Sequence, residues 1–306
     1  MEPRVHEGSA YLHPLYASSL SEFGQPLNLT QCGGWLLRRE IPGADAADAT
    51  GCYPLFACRD WSRLGEEVER LEGLVSLVLV TDPFGDFDRE DLEPHFDDVR
   101  FFKPHFAIDL AQPVERVASR HHRYYARRAL RELEIERQPR PIDLLDEWAA
   151  LYGVLVERKG LRGIQAFSRD AFAMQLEVPG AVVLVASLGG ELVGADWYYV
   201  NGPVAYRHLA ASSPEGYRVS ASYALQWRAI ELLAELGVRW LDIGGAPGLS
   251  EQPDDGLRQF KKGWSTHTLP TYLATRVLDR RRYEELAHGA GGTNGYFPAY
   301  RAMDLT

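Results

Sequence analysis

Four positions in the second half of the chain have side chains suited to acid–base or phosphate chemistry: Asp196, His208, Asp242 and Lys261. Asp242 interrupts the apolar run Trp240–Ile243, which ends in Gly244 and Gly245. A carboxylate between Leu241 and Ile243 needs a partner, because charge is costly beside apolar neighbours. It can orient a substrate or tether the loop that follows. Paired glycines at a strand end allow a ligand close to backbone, or make a tight turn. Lysine occurs only at 103, 159, 261 and 262, against a background of arginine, so Lys261 and Lys262 after Phe260 stand out. A lysine near a strand end can clamp phosphate as a point charge; the competing reading is a solvated helix charge. Asp196, in "VGADWYYV", can accept a proton if its surroundings are dry. Strand alternation places it with Tyr198 and Val200, opposite Ala195, Trp197 and Tyr199. His208, on one face with Tyr206, is the alternative base. Tyr217 and Tyr223 can act as acids or stack on a ligand. The competing roles are structural: a paired carboxylate for Asp196, a satisfied histidine for His208, core packing for Phe260.

Other chemistries leave no trace. The chain has no G-x-S-x-G, no H-E-x-x-H and no G-x-x-x-x-G-K-[ST], which argues against a serine hydrolase, a zinc protease and an ATP-dependent ligase. Cys32, Cys52 and Cys58 form neither an even set nor a C-x-x-C, so reduced cytosolic thiols are expected, with no metal site. The first residues lack the basic and apolar regions of a signal peptide. No apolar run approaches the length of a membrane span, and a cytoplasmic protein is expected. A net charge of −10 argues against a general DNA binder. It leaves room for a local basic stripe. Residues 116–140 hold such a stripe, with Arg120, Arg123, Arg127 and Arg131 at helical spacing, Arg128 beside them, and Tyr124 and Tyr125 interleaved. An RNA backbone could lie there. The competing reading is a solvated face paired with nearby glutamates.

These residues need elements to hold them. Alternation and β-branched content predict strands at 34–40, 74–82, 105–110, 181–188, 191–200, 204–211, 239–243 and near 272–277. Helices are predicted at 62–73, 114–133, 144–159, 169–176, 220–236 and 256–264. "GG" at 189–190 and "NG" at 201–202 predict hairpin turns. The acidic stretch 82–98 reads as solvated loop, and "QPRPID" (138–143) as a linker. The second half thus runs α-α-β-β-β-α-β-α-β, a mixed α/β (α+β) layer rather than a doubly wound parallel sheet.

This order, with "YRHLAASSPEGYRVSASYALQWRAIELLAELGVRWLDIGGAPG" followed by "DDGLRQFKKGW", resembles the GNAT acyltransferases, and within them the FemAB-like (BioF2-like) aminoacyltransferases. The match is fullest over 180–265. The first half follows only in outline, through Asp48–Pro54, "T-D-P", "H-x-x-I-D-L" and the basic helix. The resemblance implies two tandem GNAT-like domains, each a mixed, mostly antiparallel sheet flanked by helices: a degenerate one over 1–140 and an acyltransferase one over 141–306. It also implies amide formation from an activated ester or thioester. That reaction needs a positioned, deprotonated amine and a donor for the developing oxyanion. Lys261 sits at the family's "F-K" position. Read from their own chemistry, Phe260, Gly244, Gly245, Tyr206, Tyr217 and Tyr223 are the candidate substrate contacts, and Asp196, Asp242 and His208 the candidate catalytic groups beside Lys261. The loop 212–222 holds one glycine, Gly216, and lacks the G-x-G that holds CoA pyrophosphate in the acetyl-CoA enzymes. Phosphate could still bind the helix start at Ser220 and Ser222, but Fem-type enzymes also lack the motif, and the resemblance to them implies aminoacyl-tRNA as co-substrate, with Arg120, Arg123, Arg127, Arg128 and Arg131 as its candidate docking surface, an amine acceptor and no tightly bound cofactor. Acyl-CoA use and a non-catalytic binding protein are the alternatives.

Overall fold

The computed structural model describes residues 10–246, 256–289 and 296–301. Among them lie strands β1 (Gln25–Leu29), β2 (Gly34–Glu40), β3 (Ala47–Gly51), β4 (Ser76–Val80), β5 (Asp98–Asp109), β6 (Glu134–Arg137), β7 (Ala181–Leu188), β8 (Glu191–Asn201), β9 (Val204–Ser212), β10 (Trp240–Gly245) and β11 (His267–Val277). The chain divides into two compact units, residues 1–19 with 103–269, and residues 20–102 with 270–306.

In the first unit the order is β5-β10-β9-β8-β7-β6. All pairs are antiparallel except β10 with β9. The β7–β8 hairpin closes through Gly189 and Gly190 at φ of 59° and 88°, the two positive angles a type I′ turn requires. After β9 the helix Ala221–Glu235 crosses back to β10, burying Ala221, Ala224, Leu225, Ala229, Ile230 and Leu233. This central helix packs in one core with Leu241, Ile243, Phe106, Ile108, Ala205 and Tyr198. On the other face Trp148 of helix Leu145–Lys159 meets Trp197 edge-on at 5.6 Å. The alternation read along β8 therefore holds, with Tyr198 facing the central helix and Trp197 facing away.

The second unit has the order β1-β2-β3-β4-β11, again antiparallel except for one adjacent parallel pair, β3 with β4. Each unit thus repeats one scheme: hairpin-linked strands, a helical crossover to a parallel neighbour, and an antiparallel strand beyond it. The second core gathers Leu36, Phe56, Leu64, Val68, Leu77 and Leu79. Asp48 of β3, fully buried, is held by Arg39 Nε at 3.0 Å, Arg301 Nη2 at 3.1 Å and the Tyr300 hydroxyl at 3.2 Å.

Several elements differ from the sequence expectation, which does not include β1, β3 or β6. The basic helix is broken: Val114–Val117 and Arg120–Ala129 are separated at Ala118, which is extended, and Ser119 caps the second piece by accepting the His122 N–H. The strand expected at 105–110 starts earlier, at Asp98. The acidic stretch contains a short helix, Arg89–Leu92, closed by a capping box between Asp88 and Asp91. No helix among the described residues is long and apolar enough to cross a membrane.

Candidate active site

The parallel pair β9–β10 is joined only from Val204↔Trp240 to Tyr206↔Asp242. Beyond that point β9 continues along β8 to Ser212, and β10 continues along β5 with a register shift before Gly245↔His105. The two strands therefore part at Asp242. In open α/β sheets the carboxyl ends of parting parallel strands are where ligands bind.

Asp242 sets the geometry of this strand end. Leu241 and Ile243 face the central-helix core, so Asp242 faces the other way, where it is 3 % exposed. Its Oδ1 accepts the Gly244 N–H at 2.7 Å, a side chain folding the backbone two residues on. Gly244 sits at φ +76°, which a side chain would resist. Asp242 Oδ2 lies 2.8 Å from His105 Nδ1 on β5. Both carboxylate oxygens are thus engaged, as burial demands.

The helix Gly256–Trp264 brings Lys261 to the same turn. Lys261 Nζ donates to the Gly245 carbonyl at 2.6 Å, and a Cβ on Gly244 would lie 3.1 Å from that ammonium. Lys103 Nζ reaches the next carbonyl, Ala246, at 3.4 Å; burial pushes its ammonium below the ordinary lysine range. A Cβ on Gly245 would lie 2.5 Å from Lys103 Cδ and 3.2 Å from His105 Cδ2. The paired glycines are therefore spaces filled by the two lysines and the histidine, not a bare turn.

The lysine helix is fixed from behind by the basic helix. His122 Nε2 donates to the Phe260 carbonyl at 2.9 Å, and the Ser119 hydroxyl donates to His122 Nδ1 at 2.8 Å. Burial holds the His122 imidazole below its ordinary pKa, in keeping with a neutral ring in this role. Gly263 gives the ring its space: a Cβ there would stand 1.9 Å from His122 Cε1. Gly263→Ala is expected to lower the melting temperature by several degrees, since overpacking of this kind costs about 1–3 kcal/mol. A melting curve superimposable on wild type would show that the ring moves aside freely.

Phe260 and Tyr223 meet edge-on at 5.1 Å, and the Arg207 guanidinium lies 5.6 Å over the Phe260 ring. Tyr223 is half-buried, and burial raises its phenol above the ordinary value, with nearby Tyr125 adding to the effect. Tyr206 is buried beside Asp242 in register and packs edge-on against Tyr11.

The polar atoms of Asp196 and His208 are bonded to residues outside the Asp242 turn. Asp196 is 1 % exposed and ion-paired with Arg207, whose Nε and Nη2 donate to it at 3.0 and 2.8 Å, while the Tyr198 hydroxyl donates at 2.9 Å. His208 is buried among Tyr11, Tyr16, Trp197 and Tyr199. Its Nδ1 pairs with the Tyr11 hydroxyl at 3.2 Å and its Nε2 with Gln175 Oε1 at 3.2 Å. Burial pushes its pKa down to about 3. Tyr217 is exposed, with the Arg158 guanidinium 3.8 Å over its ring. On the basic helix Arg120, Arg127 and Arg128 are exposed, as is Arg131 just past its end. Arg123 is turned inward instead, with Nη1 donating to the carbonyls of Glu115 and Ala118 at 2.7 and 2.9 Å.

Residue types alone do not single out His105, Lys103 or Arg207. The first two have a readable signal: alternation along β5 puts Lys103, His105 and Ala107 on one face, opposite core residues Phe106 and Ile108.

Residues 119–262 match the acetyltransferase (GNAT) domain family. No curated protein matches the chain by sequence. Among solved structures, FemX superimposes with a TM-score of 0.67 at 14 % identity, covering 89 % of this chain and 93 % of FemX. L-PGS from Bacillus licheniformis superimposes with a TM-score of 0.59 at 16 % identity, covering 90 % of this chain and 95 % of the other. The parallel pair that parts at Asp242, the helical crossover between its strands and the repeat of that scheme in both units are features of one architecture: this chain has the FemAB-like GNAT acyltransferase fold.

Proposed function

We propose that the chain is an aminoacyltransferase that forms an amide between an aminoacyl group carried as an ester on tRNA and a primary amine of a small-molecule or peptide acceptor, acting in the cytoplasm. The observation that carries this reading is Lys261. A helix tied down through His122 delivers its ammonium to the strand end where β9 and β10 part. There it can meet a phosphate or the developing charge on an ester oxygen. Tyr223 and Phe260 supply an aromatic wall on the same side of the sheet. The exposed arginines of the neighbouring basic helix, Arg120, Arg127, Arg128 and Arg131, offer a surface for the tRNA backbone. Structural likeness to FemX and to L-PGS is compatible with this class of donor.

The second reading is acyl-CoA-dependent N-acyl transfer, favoured by the acetyltransferase domain family itself. The start of the central helix, at Ser220 and Ser222, would then receive the phosphates.

One experiment separates the donors. The protein is incubated with lysine, ethanolamine and glucosamine as acceptors. The donor is either tRNA charged with a labelled amino acid mixture or labelled acetyl-CoA. RNase-sensitive amide formation from charged tRNA is expected. Transfer from acetyl-CoA alone would replace the first reading by the second. Binding without transfer from either donor would favour a binding protein that keeps the cleft without the chemistry.

The basic surface has its own test. Replacing Arg127 and Arg131 together with alanine should weaken binding of uncharged tRNA. The slope of log affinity against log salt should fall by roughly 0.7–0.9 for each phosphate that is no longer neutralised. An unchanged slope would place the tRNA elsewhere.

A further inference from the structure

His105 carries the inference furthest. Its Nδ1 faces Asp242 Oδ2 at 2.8 Å, while its Nε2 bonds to none of the described residues. The other oxygen of Asp242 is taken by the Gly244 N–H at 2.7 Å. An ionised carboxylate only accepts hydrogen bonds, so a neutral imidazole facing it must carry its proton on Nδ1. Nε2 then presents a lone pair. His105 is buried, and register places it level with Gly245 at the end of β10, where the parallel strands have parted. Its Cδ2, next to Nε2, lies 3.2 Å from where a Gly245 side chain would begin, and Lys261 donates to that same glycine's carbonyl. Lys103 also borders this turn. His105 and Asp242 face away from the central helix, whereas the lysine helix packs on the central-helix side. The dyad and Lys261 thus approach the parting strands from opposite faces of the sheet.

We propose that His105 is the general base for the acceptor amine and that Asp242 is its positioning residue. This rests on the aminoacyl-ester reading above, although an amine must lose a proton whichever donor is used. As the amine nitrogen bonds to the ester carbonyl carbon, His105 Nε2 takes the ammonium-forming proton. When the carbonyl carbon–oxygen bond to the ribose breaks, that proton passes from Nε2 to the departing oxygen. The products are an amide and a free ribose hydroxyl, and the imidazole returns to its starting state. Asp242 holds the ring orientation and tautomer and steadies the transient imidazolium, the role a buried carboxylate plays beside a catalytic histidine.

The test uses His105→Gln and Asp242→Asn in the full chain, with charged tRNA and acetyl-CoA as parallel donors and the three amines named above. His105→Gln is expected to lower kcat by about 10²- to 10⁴-fold with KM for the donor nearly unchanged. In Asp242→Asn the Gly244 N–H still requires an oxygen, so the amide NH₂ must face His105 and the proton is driven from Nδ1 to Nε2. Nitrogen-15 NMR of the imidazole should show the Nδ1–H form in wild type and the Nε2–H form in Asp242→Asn, with kcat falling alongside. Turnover by His105→Gln at the wild-type rate, or an Nε2–H tautomer in wild type, would overturn the proposal. If wild type uses acetyl-CoA and ignores charged tRNA, the donor reading fails, and loss of that turnover in His105→Gln still upholds the base. A wild type inert toward both donors overturns both.

Discussion

Lys261→Ala is expected to lower kcat/KM about 10- to 150-fold, the loss of one charge-assisted hydrogen bond worth about 1.5–3 kcal/mol. The reason is placement rather than charge alone. The ammonium sits over the glycine turn, within 2.6 Å of the Gly245 carbonyl, at the end of the strand that carries Asp242. Lys261→Arg should not restore activity. A guanidinium is a broad planar fork, and the ammonium occupies space only 3.1 Å from where a Gly244 Cβ would stand. Lys262, the exposed neighbour, is the internal control, and Lys262→Ala should stay within about twofold of wild type, as a solvated charge does. Steady-state kinetics with whichever donor supports turnover, together with melting curves for each variant, check all three. Equal losses in the two alanine variants would mean that a general positive potential matters, not a placed cation.

Asp196→Ala is expected to give the largest loss of stability, about 3–5 kcal/mol. Asp196 and Arg207 are both buried, their side chains 1 % and 8 % exposed, and the guanidinium spans both carboxylate oxygens. Burial by itself would lower the Arg207 pKa; the adjacent Asp196 charge outweighs it and holds the guanidinium above its ordinary value. Removing the carboxylate therefore strands a buried cation that cannot discard its proton. Each kcal/mol moves the melting temperature of a chain this size by roughly 2 °C, so a fall of about 6–10 °C is expected. The double replacement Asp196→Leu with Arg207→Met should recover much of it, because two apolar side chains leave no uncompensated charge. A single variant melting within a degree of wild type would show that water reaches the pair. Arg207 also lies over Phe260, so the pair supports the aromatic wall beside Lys261 from below.

Much of the local structure was legible because its causes are local. The "GG" hairpin follows from two residues that accept positive φ. The faces of β8 follow from alternation. The central helix follows from an apolar stripe ended at Gly237, which lies at φ +80°. Strands β1 and β3 were not legible. "QPLNL" and "ADATG" have little intrinsic strand preference and exist because β2 pairs with both. The break in the basic helix did have a signal, since Ser119 is a good N-cap, but the unbroken run of arginines masked it. The inward turn of Arg123 could not be seen, because nothing in residue type separates a capping arginine from a solvated one.

The same division runs through the site. Lys261 stood out through the scarcity of lysine and the motif around it, and Asp242 through a charge set in an apolar strand. Those are properties of short stretches and survive in any conformation. What His105 does is a property of distance: 137 positions separate it from Asp242, and they meet because β5 pairs antiparallel with β10 and a register shift brings His105 level with Gly245. The partners of Asp196 and His208 were likewise set by packing. Their residue types suit proton transfer, yet their polar atoms are taken up by Arg207 and Tyr198 in one case and by Tyr11 and Gln175 in the other. Chain-local patterns name the elements and the residues with chemical capacity. Whether a buried polar group has an atom left over for a substrate depends on which distant strands become its neighbours.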